Sequence, residues 1–143
     1  MRRVFITSPP GCNRHATASA IAENFEWKFI SASDAILAEG EKDTLEGAEI
    51  LKATKKFTYV DDEIVIKLVQ KEIQEAEKQN KSWILEGFPR TRVQAHAFAK
   101  LGVVPDKLIQ MSCSQECSME HIKNSVRDLN GKLNKQQNAE TAA

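Results

Sequence analysis

Residues 4–25 read VFITSPPGCNRHATASAIAENF and contain the junction that decides the fold. VFIT is short, apolar and partly β-branched, which predicts a buried strand at 4–7. After the turn SPPGCNRHA, apolar residues recur at helical spacing, which predicts a helix that ends near Phe25 and packs through Ile21 and Phe25. A strand that enters a helix through such a turn is the setting of a phosphate-binding loop.

The bulk composition limits the classes of protein to consider. The chain has 143 residues, and its 20 basic and 20 acidic side chains cancel, so we expect one domain with neither a nucleic-acid nor an anionic-membrane surface. No apolar run approaches the roughly 20 residues that span a bilayer, and the first strand leaves no room for a signal peptide. We therefore expect an intracellular, cytoplasmic protein without membrane insertion; an axonemal or organellar assembly stays open. Cys12, Cys113 and Cys117 show no metal-ligand pairing and are expected to be reduced thiols.

Strands and helices alternate along the rest of the chain. Further strands are predicted at 28–31, 83–85 and 107–113. Helices are predicted after caps at Ser31, Asp43, Asp61, Thr91 and Ser114, the second of them burying Leu45, Ala48 and Leu51. This alternation predicts a three-layer αβα fold with a mostly parallel sheet of about four strands.

Two unusual turns fall at the same edge of this predicted sheet. SPPGCNRHA and EGFPR, at 8–16 and 86–90, both follow the carboxyl end of a strand, where ligands bind in parallel sheets. The domain is expected to cover residues 1–126. From 127 to 143 the sequence has almost no apolar content, which predicts a disordered polar tail.

The stretch ILEGFPRTRVQA at 84–95 resembles the monophosphate-site motif of adenylate kinases. Four further stretches match that family in order and spacing: VFITSPPG at 4–11, FISASD at 29–34, YVDDEIVIKLV at 59–69 and LGVVPDKLIQM at 101–111. The chain thus resembles the adenylate kinase, or nucleoside monophosphate kinase, family over about residues 1–126. The resemblance implies a P-loop NTPase-like fold, here expected to lack the family's lid and last strand.

The first turn departs from the family's phosphate loop, G-x-x-x-x-G-K. Ser8 and Asn13 replace both glycines, although asparagine tolerates a left-handed conformation and so permits the loop to keep its path. Arg14 replaces the lysine with a bulkier planar group, and Ala16 replaces a hydroxyl residue. We predict a vestigial nucleotide-binding loop in which Arg14 is a solvated charge. Its residues are Pro10, Gly11, Asn13 and Arg14.

The monophosphate half keeps more of the family's residues. By the resemblance, Arg90 corresponds to the α-phosphate ligand, Gln94 contacts adenine and the backbone near Val60 borders the base. The candidate monophosphate-binding residues are Val60, Gly87, Arg90 and Gln94. The alternatives are that Arg90 pairs within the fold and that Gln94 faces solvent. Departures from the family are Ala32 for threonine, Leu37 for arginine and Glu86 for aspartate.

The family's catalytic cations are missing from the matching positions. His121 and Ser125 stand where the resemblance places arginines that neutralise the transferring phosphate. Phosphoryl transfer depends on positioning and charge stabilisation, so losing the lid, the lysine and the hydroxyl together should remove most catalysis. His15, His96 and His121 lack metal-ligand spacing and are interpreted as surface histidines. The sequence predicts no catalytic residue and no metal ligand.

Two main hypotheses for function remain. In the first, the chain is a catalytically degenerate adenylate kinase-like pseudoenzyme that needs no cofactor and is a structural or interaction subunit of a larger assembly. Other protein subunits would cover the fourth-strand edge, Leu108–Cys113, and the last helix, which carries Met119, Ile122 and Val126. In the alternative, the monophosphate half binds AMP or another nucleotide, or residual ATP:AMP phosphotransfer persists.

Overall fold

A computed structural model describes residues 1–56, 58, 60–124 and 126–128. Its strands are β1 (Arg3–Thr7), β2 (Lys28–Ser31), β3 (Trp83–Glu86) and β4 (Lys107–Gln110). Its helices are α1 (Arg14–Phe25), α2 (Ala32–Gly40), α3 (Leu45–Lys55), α4 (Asp62–Lys78) and α5 (Arg92–Lys100), followed by helical residues 115–124 (α6) and 126–128. The predicted α/β fold is confirmed.

The sheet has the strand order β2-β3-β1-β4, and every pair is parallel. The register places Ile6 beside Glu86 and Thr7 beside Gln110. All carboxyl ends therefore meet at one edge, and the two unusual turns leave it side by side. Within the described part of the chain β4 pairs with β1 alone, so it is an edge strand as expected.

The fourth strand is shorter than the predicted 107–113. The Met111 N–H still donates to the Thr7 carbonyl at 2.8 Å, but the chain then leaves the sheet to begin α6. Ser114 caps this helix as predicted, because its Oγ accepts from the Cys117 N–H at 3.2 Å.

Helices cover both faces of the sheet, which gives the three layers. Alternate residues of β1 point to opposite faces, so Val4 and Ile6 pack against α1 while Phe5 packs towards α4 and α5. Trp83 is fully buried in the larger of these two clusters. The predicted α4 is confirmed and buries its apolar stripe at Val65, Val69, Ile73 and Ala76.

Two packing predictions are wrong. The Phe25 side chain is 63% exposed and stacks on Trp27 at 5.2 Å between ring centroids, because the chain turns through left-handed Glu26 immediately after it. Helix α3 exposes its leucines and buries Gly47 and Ile50 instead. The reason is that α3 packs closely on α2, where Ile50 lies against Gly40, and its sparse apolar residues define no single face.

The predicted tail lies mostly outside the described residues. Arg127 and Asp128 are helical, and residues 129–143 are not among those described. Among the residues that are, no helix has the length and apolar character needed to cross a membrane.

Candidate functional site

The turn between β1 and α1 is the segment that the sequence predicts as a phosphate-binding loop. Gly11 has φ +84° and Asn13 has φ 55° and ψ 39°, so both adopt left-handed backbone conformations. The expectation that asparagine permits the loop to keep its path agrees with this geometry. Asn13 also occupies the N-cap position of α1 but makes no side-chain cap bond.

Arg14 is not a solvated charge, so that interpretation is wrong. Its Nε lies 2.6 Å from Glu86 Oε1, and its Nη1 donates to the Ser8 carbonyl at 3.3 Å. The Glu86 side chain is 5% exposed and that of Arg14 is 24% exposed, so the pair is largely withdrawn from water. The parallel register between β1 and β3 brings the two residues together, although the sequence separates them widely.

The second oxygen of the Glu86 carboxylate is also engaged. Ser31 Oγ donates to Oε2 at 3.1 Å, and the His15 Nδ1 lies 3.6 Å from the same oxygen. His15 remains at the surface, as expected, with its ring edge-on to Phe29 at 5.0 Å. Glu86 thus ties β2, β3 and the start of α1 together, a role that the sequence analysis did not identify.

Helix α6 lies directly against the phosphate loop. His121 Nδ1 donates to the Gly11 carbonyl at 2.7 Å, which corrects the interpretation of this histidine as a surface residue without a specific role. A Cβ at Gly11 would lie 2.6 Å from the Ser118 carbonyl oxygen, so backbone meets backbone there. Ser125, the other residue expected to replace a family arginine, lies outside the described residues.

A cavity of about 360 Å³ lies between the loop and α6. Its lining includes residues of the β1–α1 loop, the Arg14–Glu86 pair, His121, Ile122 and Val126. The four predicted loop residues, Pro10, Gly11, Asn13 and Arg14, are therefore brought together here. The Arg14 guanidinium lines this cavity, but it is already paired with the buried Glu86 carboxylate.

The predicted monophosphate residues line a second cavity, of about 210 Å³. Gln94 is 4% exposed, so the alternative that it faces solvent is wrong. Its Oε1 accepts from the Arg90 N–H at 2.7 Å, and its Nε2 donates to Asp62 Oδ1 at 2.9 Å. Thr91 Oγ1 donates to the same Asp62 oxygen at 3.1 Å. The lining comprises Ala32, Ser33, Ile36, Thr58, Val60, Asp62, Val65, Gly87, Arg90, Thr91 and Gln94.

The Arg90 guanidinium lies over Gly87 at the mouth of this cavity. A Cβ at Gly87 would lie 3.4 Å from Arg90 Nη2, so the glycine leaves room for the guanidinium. Among the described residues no carboxylate forms an ion pair with Arg90, and the alternative of an internal pair has no support there. An exposed planar guanidinium beside an apolar cavity can bind a phosphate bidentately.

Asp62 belongs to this site, but the sequence analysis did not single it out. Asp62 stands one residue after the α4 cap, Asp61, whose Oδ1 accepts from the Glu63 N–H at 2.9 Å. Its partner Gln94 is buried at the start of α5, behind the Thr91 cap. Contact between the starts of two helices could be inferred only after α4 and α5 were placed on the same face of the sheet.

Comparison with known proteins agrees with this architecture. The family model described as adenylate kinase matches residues 6–142. The chain is 28% identical over 120 residues to a chloroplastic adenylate kinase of Zea mays, covering 84% of this chain and 54% of that protein. It is 30% identical over 121 residues to a probable UMP-CMP kinase 2 of Arabidopsis thaliana, covering 84% and 46%.

A bacterial relative gives the same result. The adenylate kinase of Francisella philomiragia subsp. philomiragia is 29% identical over 120 residues, which cover 84% of this chain and 55% of that protein. The chain spans about half the length of these curated relatives. The match to the family model covers nearly the whole chain. The chain belongs to the adenylate kinase family.

Proposed function

We propose that this chain is an adenylate kinase-like domain that no longer transfers phosphoryl groups and acts as a structural or interaction subunit. The observation that carries the proposal is the 2.6 Å contact between Arg14 and the buried Glu86 carboxylate. A triphosphate that drew the whole Arg14 guanidinium onto its oxygens would break this contact. Glu86 would then be a buried charge without its cation, which costs about 3 to 5 kcal/mol.

The loop also lacks the groups that would replace this cation. Ala16 stands where a hydroxyl residue is expected at the metal–phosphate site, and the Asn13 side chain stands where the family has glycine. Electrostatic stabilisation is usually the largest catalytic contribution, and the cation at the lysine position, Arg14, is already paired with Glu86.

The test is a coupled assay for ADP with ATP, AMP and Mg²⁺ in excess, run on the purified chain and on Arg90→Ala. We expect no ADP formation above the enzyme-free rate. ADP formation that disappears in Arg90→Ala would contradict the proposal, because it would assign the activity to this chain. ADP formation that is unchanged in Arg90→Ala would indicate a contaminating kinase, and it would not count as activity of this chain.

In the proposed structural role, the partner would bind the open edge of the sheet at β4. Leu108 on β4 is 61% exposed, and Met119, Ile122 and Val126 expose apolar surface near the same end of the sheet. An edge strand with apolar side chains favours pairing with another polypeptide segment. We expect Leu108→Glu to weaken any self-association or partner binding, measured by light scattering or native mass spectrometry. Unchanged assembly in this variant would count against the use of this edge.

A second candidate function is binding of a nucleoside monophosphate in the smaller cavity. It is favoured by Arg90, which has no carboxylate partner among the described residues, and by Gln94 and Val60 along the same wall. Calorimetric titration with AMP and with ATP separately tests it. We expect AMP to bind, and Arg90→Ala to weaken binding about 10- to 100-fold because a charge-assisted bidentate contact is lost.

Arg92→Ala is the matched control for this titration. Arg92 is also exposed and lies two residues further along, but it does not line the cavity. The control should bind AMP as the unaltered chain does. Equal loss in both variants would indicate a general charge effect, and absence of AMP binding up to millimolar concentration would exclude the ligand-binding candidate.

A further inference from the structure

Three cysteines gather where the phosphate loop meets α6. Cys12 is the buried residue after Gly11, Cys113 follows β4 and Cys117 lies in the first turn of α6. The Ser118 Oγ lies 2.8 Å from the Cys113 sulfur and 3.9 Å from the Cys12 sulfur. The two thiols therefore share one hydroxyl neighbour.

Topology produces this proximity. The pairing of Thr7 with Gln110 places the carboxyl ends of β1 and β4 side by side, so the chains that leave them start as neighbours. Helix α6 then folds back over the loop, held by the contact of His121 with Gly11. Cys12 and Cys113 thus lie on adjoining segments of the chain, and both sulfurs approach the same Ser118 hydroxyl.

We propose that Cys12 and Cys113 are a modification site that forms a reversible disulfide by exchange with a low-molecular-weight disulfide such as oxidised glutathione. This inference does not depend on the proposed function. The bond would link the phosphate loop covalently to the segment between β4 and α6. It would also fix the loop beside the Arg14–Glu86 pair.

The two cysteines are suited to different steps. Cys113 is half-buried, and hydrogen bonds from Cys12 and Ser118 lower the pKa of its thiol, which favours the nucleophilic thiolate. Hydrogen bonding to Cys113 and burial raise the pKa of the Cys12 thiol, so Cys12 is the slower nucleophile. Because Cys113 is half-buried and Cys12 is buried, Cys113 is the attacking residue and Cys12 the resolving residue.

The exchange balances in two steps. The Cys113 thiolate attacks one sulfur of oxidised glutathione, which forms a protein–glutathione disulfide and releases one glutathione thiolate that takes up a proton. Cys12 then loses its proton and attacks the Cys113 sulfur, which forms the Cys12–Cys113 bond and releases the second glutathione. The protein loses two electrons and two protons, and one glutathione disulfide is reduced to two thiols.

Cys117 is the competing partner for Cys113, because both thiols are half-buried near the start of α6. Its sulfur lies 3.9 Å from the His121 Nε2, and no contact with Ser118 Oγ is seen for it among the described residues. The Ser118 hydroxyl that Cys12 and Cys113 share therefore favours Cys12 as the partner. Cys117→Ser is therefore the matched control, because it removes a thiol from the same cluster without removing the proposed bond.

The experiment incubates the unaltered chain with oxidised glutathione, blocks free thiols under denaturing conditions and digests without reductant. A protease that cleaves after glutamate separates Cys113 from Cys117 at Glu116. We expect one linked peptide pair that contains Cys12 and Cys113, which disappears with dithiothreitol and persists in Cys117→Ser. In Cys12→Ser, we expect Cys113 to accumulate as the glutathione mixed disulfide.

Two results would overturn the inference. One is a Cys113–Cys117 linkage in the unaltered chain, and the other is Cys12 recovered as a free thiol after prolonged oxidation. Because both results are read from the unaltered chain, folding of the serine variants does not affect them. Circular dichroism of Cys12→Ser and Cys117→Ser then shows whether their thiol chemistry is that of folded protein.

Discussion

The two halves of the site each have an arginine, and the two arginines are in opposite situations. Arg14, in the phosphate-loop half, lies 2.6 Å from a carboxylate that is 5% exposed. Arg90, in the monophosphate half, lines a cavity and forms no ion pair with any described carboxylate. The same side chain is thus part of the internal structure in one half and available to a ligand in the other.

The difference comes from the position of the nearest carboxylates. Glu86 ends β3 beside the loop, so it faces Arg14 directly. In the other half Asp62 accepts from Gln94 and Thr91, which satisfies its oxygen without the Arg90 guanidinium. Neutral donors satisfy the Asp62 oxygen, so the Arg90 guanidinium is left to bind an anion. The Glu86 carboxylate is paired with Arg14, so the Arg14 guanidinium is already engaged.

The largest expected effect is on the phosphate-loop half. Arg14→Ala should lower the free energy of unfolding by about 3 to 5 kcal/mol, because it leaves the buried Glu86 carboxylate without its cation. Urea unfolding followed by circular dichroism measures the loss. Arg14→Met combined with Glu86→Gln removes both charges and should recover most of it. If Arg14→Ala lowers the free energy of unfolding by less than about 1 kcal/mol, which is the range of an exposed ion pair, the contrast between the two arginines is contradicted.

Alanine substitutions at Gly11 and Gly87 compare how closely the backbone is packed in the two halves of the site. Gly11→Ala should destabilise by about 2 to 4 kcal/mol, because left-handed strain is combined with a collision at 2.6 Å with the Ser118 backbone. Gly87→Ala has the same kind of strain at φ +80°, but its nearest neighbour is the flexible Arg90 guanidinium at 3.4 Å. It should lose about 1 to 2 kcal/mol. Equal losses in urea unfolding would contradict the close packing of α6 on the loop.

The monophosphate half depends on a hydrogen-bond network in which neutral side chains donate to Asp62. Asp62→Ala should destabilise by about 1 to 3 kcal/mol, because the buried Gln94 Nε2 loses its acceptor. Asp62→Asn keeps an oxygen in place and is the matched control, which should remain within about 1 kcal/mol of the unaltered chain. Thermal and urea unfolding provide the comparison. If Asp62→Asn loses as much as Asp62→Ala, the charge of Asp62 matters and the two halves differ less than the geometry indicates.

The smallest expected effect concerns pH and the link between α2 and α3. A hydrogen bond from Lys42 holds the pKa of Glu39 below its ordinary value of 4.5. Because the folded pKa is the lower one, this stabilisation is present above the ordinary value and is lost as pH falls through the folded pKa. Unfolding measurements on the unaltered chain and Glu39→Gln should differ slightly at neutral pH and converge in acid. A difference that grows on acidification would contradict the assignment.

Much of the fold follows from patterns within a few residues. The caps at Ser31 and Thr91 lie where the sequence predicts them, and each accepts the expected backbone N–H, from Asp34 and Gln94 respectively. The apolar stripe of α4 identifies its buried face directly. The prediction fails for α3, because its short apolar pattern fits more than one face and contact with α2 selects another.

The contacts within the candidate site are harder to predict from local sequence patterns. The resemblance to the adenylate kinase family assigns Arg90, Gln94 and Val60 to one site, and all three line one cavity. It does not reveal that Gln94 is buried, because that depends on how closely α5 packs against the start of α4. For the same reason His121 is interpreted as a surface residue until α6 is placed over Gly11.

The sequence by itself determined the alternation of strands and helices and most of their caps, and it permitted the left-handed turn at Asn13, because propensity, periodicity and capping act over a few neighbouring residues. The cap of α3 is an exception, since Thr44 and not the predicted Asp43 accepts from the Gly47 N–H. Only the tertiary structure decided the state of the site. Arg14 and Glu86 are 72 residues apart, and the register of two parallel strands brings them to 2.6 Å. Whether a charge faces a ligand or a buried partner depends on such long-range contacts, which no local pattern contains.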